Sequence, residues 1–198
     1  MAIDFMIMPL SRYLAGDFIT PTMAFAWERG VPYTVIGPDG RREIPRDTPF
    51  GGSRAPEQRQ RYLPLLQEDL AGLPAPICTS LWDETSEVTP EFYRVEPESY
   101  QNLLTETAEW QPRSRLLGLL RRGDKPAVHV GASLFLPVDF AAPFALSVGL
   151  ERVAGSAPVA LKQLAAGGFS AATRSARATL TEALRATARL RLPLIVDW

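Results

Sequence analysis

Carboxylates and aromatic rings are concentrated in residues 81–100, LWDETSEVTPEFYRVEPESY. Carboxylate oxygens are the ligands that Mg²⁺ and Ca²⁺ prefer, and two carboxyl groups can also act as general acid and base. A calcium-binding loop needs ligands at alternate positions and a glycine at its turn, and Asp83, Glu84 and Glu87 meet neither requirement. A glycosidase needs two opposed carboxylates, which chain spacing alone does not establish. The sequence therefore predicts no metal, no cofactor and no catalytic carboxylate in this stretch.

The same stretch has the composition of a protein-binding surface. Aromatic side chains bury a large area at interfaces, and charged groups guide two proteins toward each other. Acidic groups attract a basic protein and repel the phosphates of DNA or RNA, so we expect a basic protein partner and no direct contact with nucleic acid. The predicted partner-binding residues are Trp82, Asp83, Glu84, Glu87, Glu91, Tyr93, Glu96 and Glu98.

Charge is distributed unevenly along a chain whose formal net charge is −1. Residues 68–109 contain 10 acidic residues and 1 basic residue, a net charge of −9, whereas residues 110–198 contain 5 acidic and 12 basic residues, a net charge of +7. Such asymmetry indicates an electrostatic partner for the acidic segment. Two hypotheses remain open for this partner: an external basic protein, or the arginine face of the last helix of the same chain, formed by Arg174, Arg177, Arg185 and Arg189.

The chain has one histidine, His129, and one cysteine, Cys78. Either side chain could react with help from Asp83 or Glu84, and such a site would make the protein a small hydrolase or transferase. A single histidine, however, excludes His-rich zinc sites, and no G-x-S-x-G segment accompanies a serine. No cysteine-protease signature surrounds Cys78 either. We therefore expect both residues to be structural, and the lone cysteine to indicate a reducing compartment.

A glycine-containing segment, AAGGFSAATRSA at residues 165–176, precedes the last predicted helix. Backbone N–H groups at the start of a helix, next to Arg174, can hold a phosphate. The spacing of Gly167 and Gly168 matches neither the P-loop nor the dinucleotide-binding fingerprint. The sequence instead predicts that the glycines end one helix and that Thr173 caps the next.

Length and composition indicate one globular domain. The 198 residues are 46% hydrophobic and 22% charged, which suits a chain that buries its own core. No uninterrupted apolar stretch reaches the about 20 residues of a membrane-spanning helix, and the first residues lack the pattern of a signal peptide. We therefore expect a single domain over residues 1–198, in the cytoplasm and without a membrane partner. Arginine outnumbers lysine 19 to 2, which is typical of a GC-rich bacterial gene.

Apolar spacing and turn residues predict helices and strands that do not alternate strictly. Strands are predicted at 3–8, 76–82, 127–136, 144–148 and 194–198, and a β-hairpin at 33–44. Helices are predicted at 22–29, 56–70, 113–122 and 173–190, with two more beginning at Pro97 and Pro158. This order favours an α+β fold over a doubly wound α/β fold. The predicted domain is compact, with a mixed or antiparallel sheet, an N-terminal strand, several packed helices, and a long C-terminal helix followed by a final strand.

Because no motif defines a reaction, the sequence favours a non-enzymatic binding protein. The specific prediction is a bacterial cytoplasmic immunity protein, an antitoxin that neutralises a cognate toxin by direct contact through the acidic–aromatic stretch. Toxins that act on nucleic acids present basic grooves, which an acidic surface reaches quickly by electrostatic attraction. The alternatives are an enzyme with a site around Cys78 or His129, and a non-catalytic subunit of a larger assembly.

Overall fold

The computed structural model describes residues 3–37, 40–44, 55–71, 82–109, 127–146 and 152–197. The strands are β1 (Ile3–Ile7), β2 (Tyr33–Gly37), β3 (Gly40–Ile44), β4 (Glu91–Val95), β5 (Leu134–Leu136), β6 (Phe144–Leu146), β7 (Arg152–Ser156) and β8 (Leu194–Asp197). The α-helices are α1 (Leu10–Ala15), α2 (Pro21–Glu28), α3 (Ala55–Ala71), α4 (Pro97–Glu109), α5 (Ala157–Ala166) and α6 (Arg174–Leu190). None of these described helices is long and apolar enough to cross a membrane.

Six strands form one mixed sheet in the order β4-β1-β8-β5-β7-β6, and β2 and β3 form a separate hairpin. Neighbouring strands of the large sheet are antiparallel except β5 and β7, which are parallel. Antiparallel neighbours do not need a helical crossover between each pair, so helices and strands do not alternate strictly along the chain. The predicted α+β class, mixed sheet, N-terminal strand, hairpin and final strand after a long helix are confirmed. The single domain over residues 1–198 stays a prediction.

Strand β1 is covered on both faces, which explains its nearly unbroken apolar sequence, IDFMI. On one face, Phe5 packs with residues of α4, α5 and α6 and meets the Tyr100 ring edge-to-face, with ring centroids 5.3 Å apart. On the other face, Met6 packs in a second cluster with Leu10 of α1 and with Trp82. Fully burying a side chain of this size stabilises a fold by about 1.5–3 kcal/mol. The sheet therefore separates two hydrophobic clusters.

Helix α6 begins at Arg174 and ends at Leu190, within one residue of its predicted bounds. Its buried face contains residues that recur every three or four positions and lie away from the predicted arginine face, Ala176, Leu180, Ala183, Leu184 and Thr187. Repeats of three and four residues place such side chains on one side of a helix, where they pack against the sheet. The helix prediction is confirmed in both position and orientation.

The first turn of α6 is capped from another helix. Thr173 precedes α6, but its Oγ1 donates to the Ser170 carbonyl at 3.0 Å, so the predicted Thr173 cap is wrong. Ser99 of α4 caps the turn instead. Its Oγ accepts from the Ala176 N–H at 3.1 Å and donates to the Ala172 carbonyl at 3.0 Å. A cap that comes from a distant part of the chain has no signature in the local sequence.

The remaining helix and hairpin predictions are confirmed within about two residues where the structure describes them. Thr20 caps α2, because its Oγ1 accepts from the Met23 N–H at 3.2 Å. Three short elements, α1, β4 and β7, were not predicted. The predicted helix at 113–122, and the predicted strand at 76–82 apart from Trp82, lie outside the described residues.

The strand predicted at 127–136 is wrong except for Leu134–Leu136. Before β5 the backbone turns, with the Ala132 N–H donating to the His129 carbonyl at 3.0 Å. A side chain of α5 binds this segment: Gln163 Oε1 accepts from the His129 N–H and Gln163 Nε2 donates to the Ala127 carbonyl, both at 2.8 Å. These bonds satisfy the backbone groups that a neighbouring strand would otherwise bind.

Candidate functional site

Residues 82–90, called here the acidic loop, connect to β4 without regular secondary structure. The loop begins with two buried side chains, Trp82, which is 3% exposed, and Glu84, which is 5% exposed. Trp82 packs in the cluster that contains Met6, Met8 and Leu10. The start of the acidic loop is therefore part of the core beneath α1.

The Glu84 carboxylate binds the first turn of α1. Its Oε1 accepts from the Leu10 N–H at 3.0 Å and from Trp82 Nε1 at 2.6 Å, and its Oε2 accepts from the Ser11 N–H at 2.8 Å. Ser11 Oγ also donates to the Glu84 carbonyl at 3.1 Å. The first N–H groups of a helix have no partner within the helix, and a carboxylate supplies one with favourable charge. Glu84 thus acts as the cap of α1.

This position separates Trp82 and Glu84 from the predicted partner-binding surface. Both side chains are directed into the fold, and the Glu84 oxygens are occupied by N–H donors. A partner could reach them only if α1 lost its cap. The predicted surface is therefore reduced to its exposed and half-buried members, Asp83, Glu87, Glu91, Tyr93, Glu96 and Glu98.

The second half of the acidic loop is held by Arg12, a buried residue of α1. Arg12 Nη1 donates to the Val88 carbonyl at 2.8 Å, Nη2 donates to the Asp17 carbonyl at 3.2 Å, and Nε lies 3.4 Å from Asp17 Oδ2. Nothing in the sequence distinguishes Arg12 from the chain's other arginines. A hydrogen bond from a short helix to a loop 76 residues later in the chain leaves no local sequence pattern.

Between these attachments, the loop presents acidic groups to solvent. Asp83 and Glu87 are exposed, and Val88 between them and β4 is 44% exposed. Asp83 Oδ1 accepts from both the N–H and the Oγ1 of Thr85, at 2.9 and 2.7 Å. This side-chain turn fixes the Asp83 carboxylate without burying it. The exposed surface of the acidic loop is consequently ordered as well as charged.

Glu91 and Tyr93 lie on β4 and have a partner within the chain. Glu91 accepts two hydrogen bonds from Arg189 Nη2 of α6, at 2.7 and 2.9 Å, and one from the Tyr93 hydroxyl at 2.8 Å. The bonds from Arg189 hold the pKa of Glu91 below its usual value. Partial burial, followed by the Glu91 carboxylate, raises the pKa of Tyr93. For these residues the arginine face of α6 is the observed electrostatic neighbour.

Glu96 and Glu98 are exposed at the other end of β4, where α4 begins. Glu98 is in the first turn of α4, where a carboxylate interacts favourably with the helix dipole. Strand β4 has five residues and so separates these groups from the acidic loop by about 16 Å. The predicted acidic surface is therefore two groups of carboxylates at opposite ends of one edge strand.

His129 is fully buried, and the backbone binds both of its ring nitrogens. Nδ1 accepts from the Ser156 N–H at 2.8 Å, so the proton of the neutral ring is on Nε2, which faces the Ala141 carbonyl at 3.3 Å. Burial lowers the pKa of His129, which favours the neutral ring. The geometry gives His129 a structural role, and Cys78 lies outside the described residues.

A second polar cluster joins α1 to the sheet. The Tyr13 hydroxyl donates to Asp197 Oδ1 at 3.1 Å and accepts from Arg152 Nη2 at 2.9 Å. Arg152 also donates to the backbone carbonyls of Val196 and Ser133. Burial, more than any other cause, raises the pKa of Tyr13 to about 12. These groups satisfy one another, which is the behaviour of a structural network rather than of a reactive site.

Among the described residues, no group of three or more His, Cys, Asp or Glu side chains is arranged to hold a metal ion. A scan against protein-family models and searches of curated proteins and of solved structures found no match to this chain. Function is a property of sites rather than of folds, so the acidic loop and its attachments are the basis for a functional proposal.

Proposed function

We propose that this chain is a non-enzymatic, cytoplasmic bacterial immunity protein that binds a basic toxin through its acidic loop. The observation that carries the proposal is the attachment of an irregular, exposed, acidic segment at both ends. Trp82 and Glu84 fix its start, and Arg12 fixes the Val88 carbonyl near its end. Loops positioned in this way on a rigid scaffold are where proteins most often carry binding residues.

Order in the free loop favours tight binding. Association normally loses about 0.5–1.5 kcal/mol for each flexible side chain that becomes immobilised at an interface. Asp83 is already fixed by its bonds to Thr85, and the backbone around it is fixed by the core. A preorganised loop avoids much of this loss, so more of the interaction free energy contributes to affinity.

The charge of the loop supports a basic partner. Asp83 and Glu87 are exposed carboxylates next to the exposed apolar side chain of Val88. Carboxylates accelerate the encounter with a basic surface, whereas a central apolar contact slows dissociation. A toxin with a basic groove for nucleic acid would attract these carboxylates, and its cognate antitoxin would cover that groove. Glu96 and Glu98 would extend the contact only with a partner that spans the length of β4.

The structure gives no comparable support to an enzyme. The His129 ring is closed off by backbone groups, and the one buried carboxylate of the acidic loop, Glu84, has its oxygens occupied by N–H donors of α1 and Trp82. The alternative of a non-catalytic subunit remains a prediction. The observation that favours this alternative is the exposure of three apolar side chains around α2, those of Ile19, Phe25 and Val31.

The test is binding of the product of the neighbouring gene, measured after co-expression and pull-down and then by kinetic titration. Replacing Asp83 and Glu87 together by lysine should lower the association rate at least tenfold at low salt and remove most of its salt dependence. Glu84 is left unchanged because its loss would remove the cap of α1. The matched control, Glu28→Lys with Glu43→Lys, makes the same charge change at exposed positions and should leave the association rate within about twofold.

Two results would contradict the proposal. The first is a pull-down in which the protein retains no partner and the neighbouring gene encodes a metabolic enzyme. The second is a partner whose association is unchanged by the lysine substitutions in the acidic loop. In the second case, the interface lies elsewhere on the molecule.

A further inference from the structure

A groove of about 700 Å³ lies between α5 and α6, on the side of the sheet opposite the acidic loop. Its floor is apolar and is formed on the α5 side by Leu161, Leu164 and Ala165. Its α6 side carries three arginines, Arg174, Arg177 and Arg185. The groove therefore combines an apolar floor with a positively charged rim.

The arginine charges at the rim are largely uncompensated. Arg189, on the neighbouring side of α6, pairs with Glu91. Arg174 and Arg185, in contrast, form no ion pair with any residue that the structure describes. The Arg177 guanidinium lies 5.6 Å from the centre of the Phe169 ring, which leaves its charge in place. Glu182 is the one carboxylate among the groove residues, so three positive charges face one negative charge.

The spacing of the arginines sets the length of a ligand. Arg174 and Arg185 are eleven positions apart on α6, or about 16 Å along the helix axis. An extended peptide covers that distance with about five residues, since each residue advances about 3.3 Å. A single phosphate or carboxylate cannot contact both ends. The groove consequently fits a segment with acidic groups near its ends and apolar side chains between them.

The same features disfavour a nucleic acid. A nucleic-acid strand carries a phosphate at every nucleotide, whereas the α5 side of this groove offers only the apolar side chains of Leu161, Leu164 and Ala165. An acidic, amphipathic peptide can pack its apolar side chains against Leu161 and Leu164 while its carboxylates pair with the arginines of the rim. Apolar contact with peripheral charge pairs is the usual composition of a specific interface.

We propose that the groove between α5 and α6 binds a short, acidic, amphipathic segment of a partner protein. The site is separate from the acidic loop and does not depend on the function proposed for that loop. The binding reaction is non-covalent, and its affinity decreases with salt because guanidinium–carboxylate pairs at an exposed rim are screened.

The test is fluorescence polarisation with the intact protein and a labelled peptide of about seven residues that has Glu near both ends and Leu between them. Three further probes identify the chemistry: a Glu–Ser peptide of equal charge, a Lys–Leu peptide, and labelled single-stranded RNA. We expect saturable binding of the Glu–Leu peptide, at least tenfold weaker binding of the Glu–Ser peptide and of RNA, and no binding of the Lys–Leu peptide.

Substitutions locate the site. Arg174→Glu with Arg185→Glu should weaken the Glu–Leu peptide at least tenfold, whereas Arg29→Glu with Lys162→Glu, which makes the same charge change at exposed positions outside the α6 rim, should change affinity less than twofold. Thr181→Glu gives a second, independent test within the groove, and circular dichroism checks that each variant is folded. The proposal is overturned if the Glu–Leu peptide does not bind, or if the Glu–Ser peptide binds equally well. It is also overturned if RNA binds more tightly than the Glu–Leu peptide, or if the α6 variants keep the affinity of the unsubstituted protein.

Discussion

At the scale of single residues, the Glu84 carboxylate is the group on which the acidic loop depends most directly. Glu84→Gln keeps the size of the side chain but replaces one acceptor oxygen by an amide N–H₂, which would face the N–H groups of α1 or the indole of Trp82. An unpaired buried donor costs about 1–3 kcal/mol. We expect the free energy of unfolding, measured by urea denaturation, to fall by this amount.

Glu87→Gln is the matched control for Glu84→Gln, because Glu87 lies three residues away and is exposed. Substitutions at such surface positions usually change stability by less than about 0.5 kcal/mol. Equal losses for the two variants would show that the hydrogen bonds of Glu84 contribute nothing beyond those of a surface carboxylate.

The sequence could not distinguish these two glutamates. The acidic loop has neither helical nor strand periodicity, so no spacing rule separates inward from outward side chains. A glutamate is rarely buried, and the prediction of Glu84 as a surface residue followed that general tendency. Its burial depends on the N-terminus of α1, a six-residue helix that the sequence did not predict.

At the scale of elements, α4 and α6 are joined at the Ser99 hydroxyl. Ser99→Ala removes the acceptor of the Ala176 N–H and the donor to the Ala172 carbonyl. Loss of a helix cap costs about 0.5–2 kcal/mol. We expect a loss of stability in this range, together with faster hydrogen exchange of the amides in the first turn of α6.

Ser175→Ala tests whether that effect belongs to the cap. Ser175 is exposed in the first turn of α6, and alanine has a higher helix propensity than serine. The free energy of unfolding of the Ser175→Ala variant should therefore stay equal or rise slightly. Slower or unchanged exchange of the α6 amides in Ser99→Ala would contradict the proposed role of Ser99.

Elements with their own local signals were predicted, and elements that depend on distant contacts were not. Helix α6 has a periodic apolar face, and α2 has Thr20 and Pro21 at its start. Strands β4 and β7 each have five residues without apolar–polar alternation. The segment before β5 has the composition of a strand, but the Gln163 side chain takes its backbone hydrogen bonds.

At the scale of the whole molecule, stability should depend on pH through His129. Burial lowers the pKa of this residue in the folded protein below its ordinary value of about 6.5. The unfolded chain therefore binds a proton more readily, so stability is complete above about pH 6.5 and decreases as the pH falls below it. The slope of the unfolding free energy against pH approaches about 1.4 kcal/mol per pH unit where His129 is protonated in the unfolded state but not in the folded state.

Urea denaturation between pH 5 and 8 measures this slope. His129→Asn is the control, because its side-chain oxygen can still accept from the Ser156 N–H but does not titrate. His129 is the only histidine, so we expect the variant to lose most of the slope between pH 5.5 and 7. An unchanged slope would assign the pH dependence to carboxylates instead.

Within the part of the chain that the structure describes, the charge asymmetry of the sequence is only partly neutralised. Among the described residues, Glu91 and Arg189 form an ion pair between the acidic segment 68–109 and the arginine face of α6. The acidic loop and the groove with Arg174 and Arg185 are on opposite sides of the sheet. Net charge per segment was readable from the sequence, but the side of the sheet that each segment occupies was not.

Strand β8 also governs the order in which the sheet can be completed during synthesis. It lies between β1 and β5 and is the link between β4-β1 and β5-β7-β6. Ile7 pairs with Leu194, so at a translation rate of about 5–20 residues per second β1 waits roughly 10–40 s for this neighbour. Until then, a growing chain on the ribosome exposes unpaired strand edges, which are sites of aggregation and of chaperone binding. A premature stop codon before residue 194 would therefore leave two separate half-sheets that cannot join.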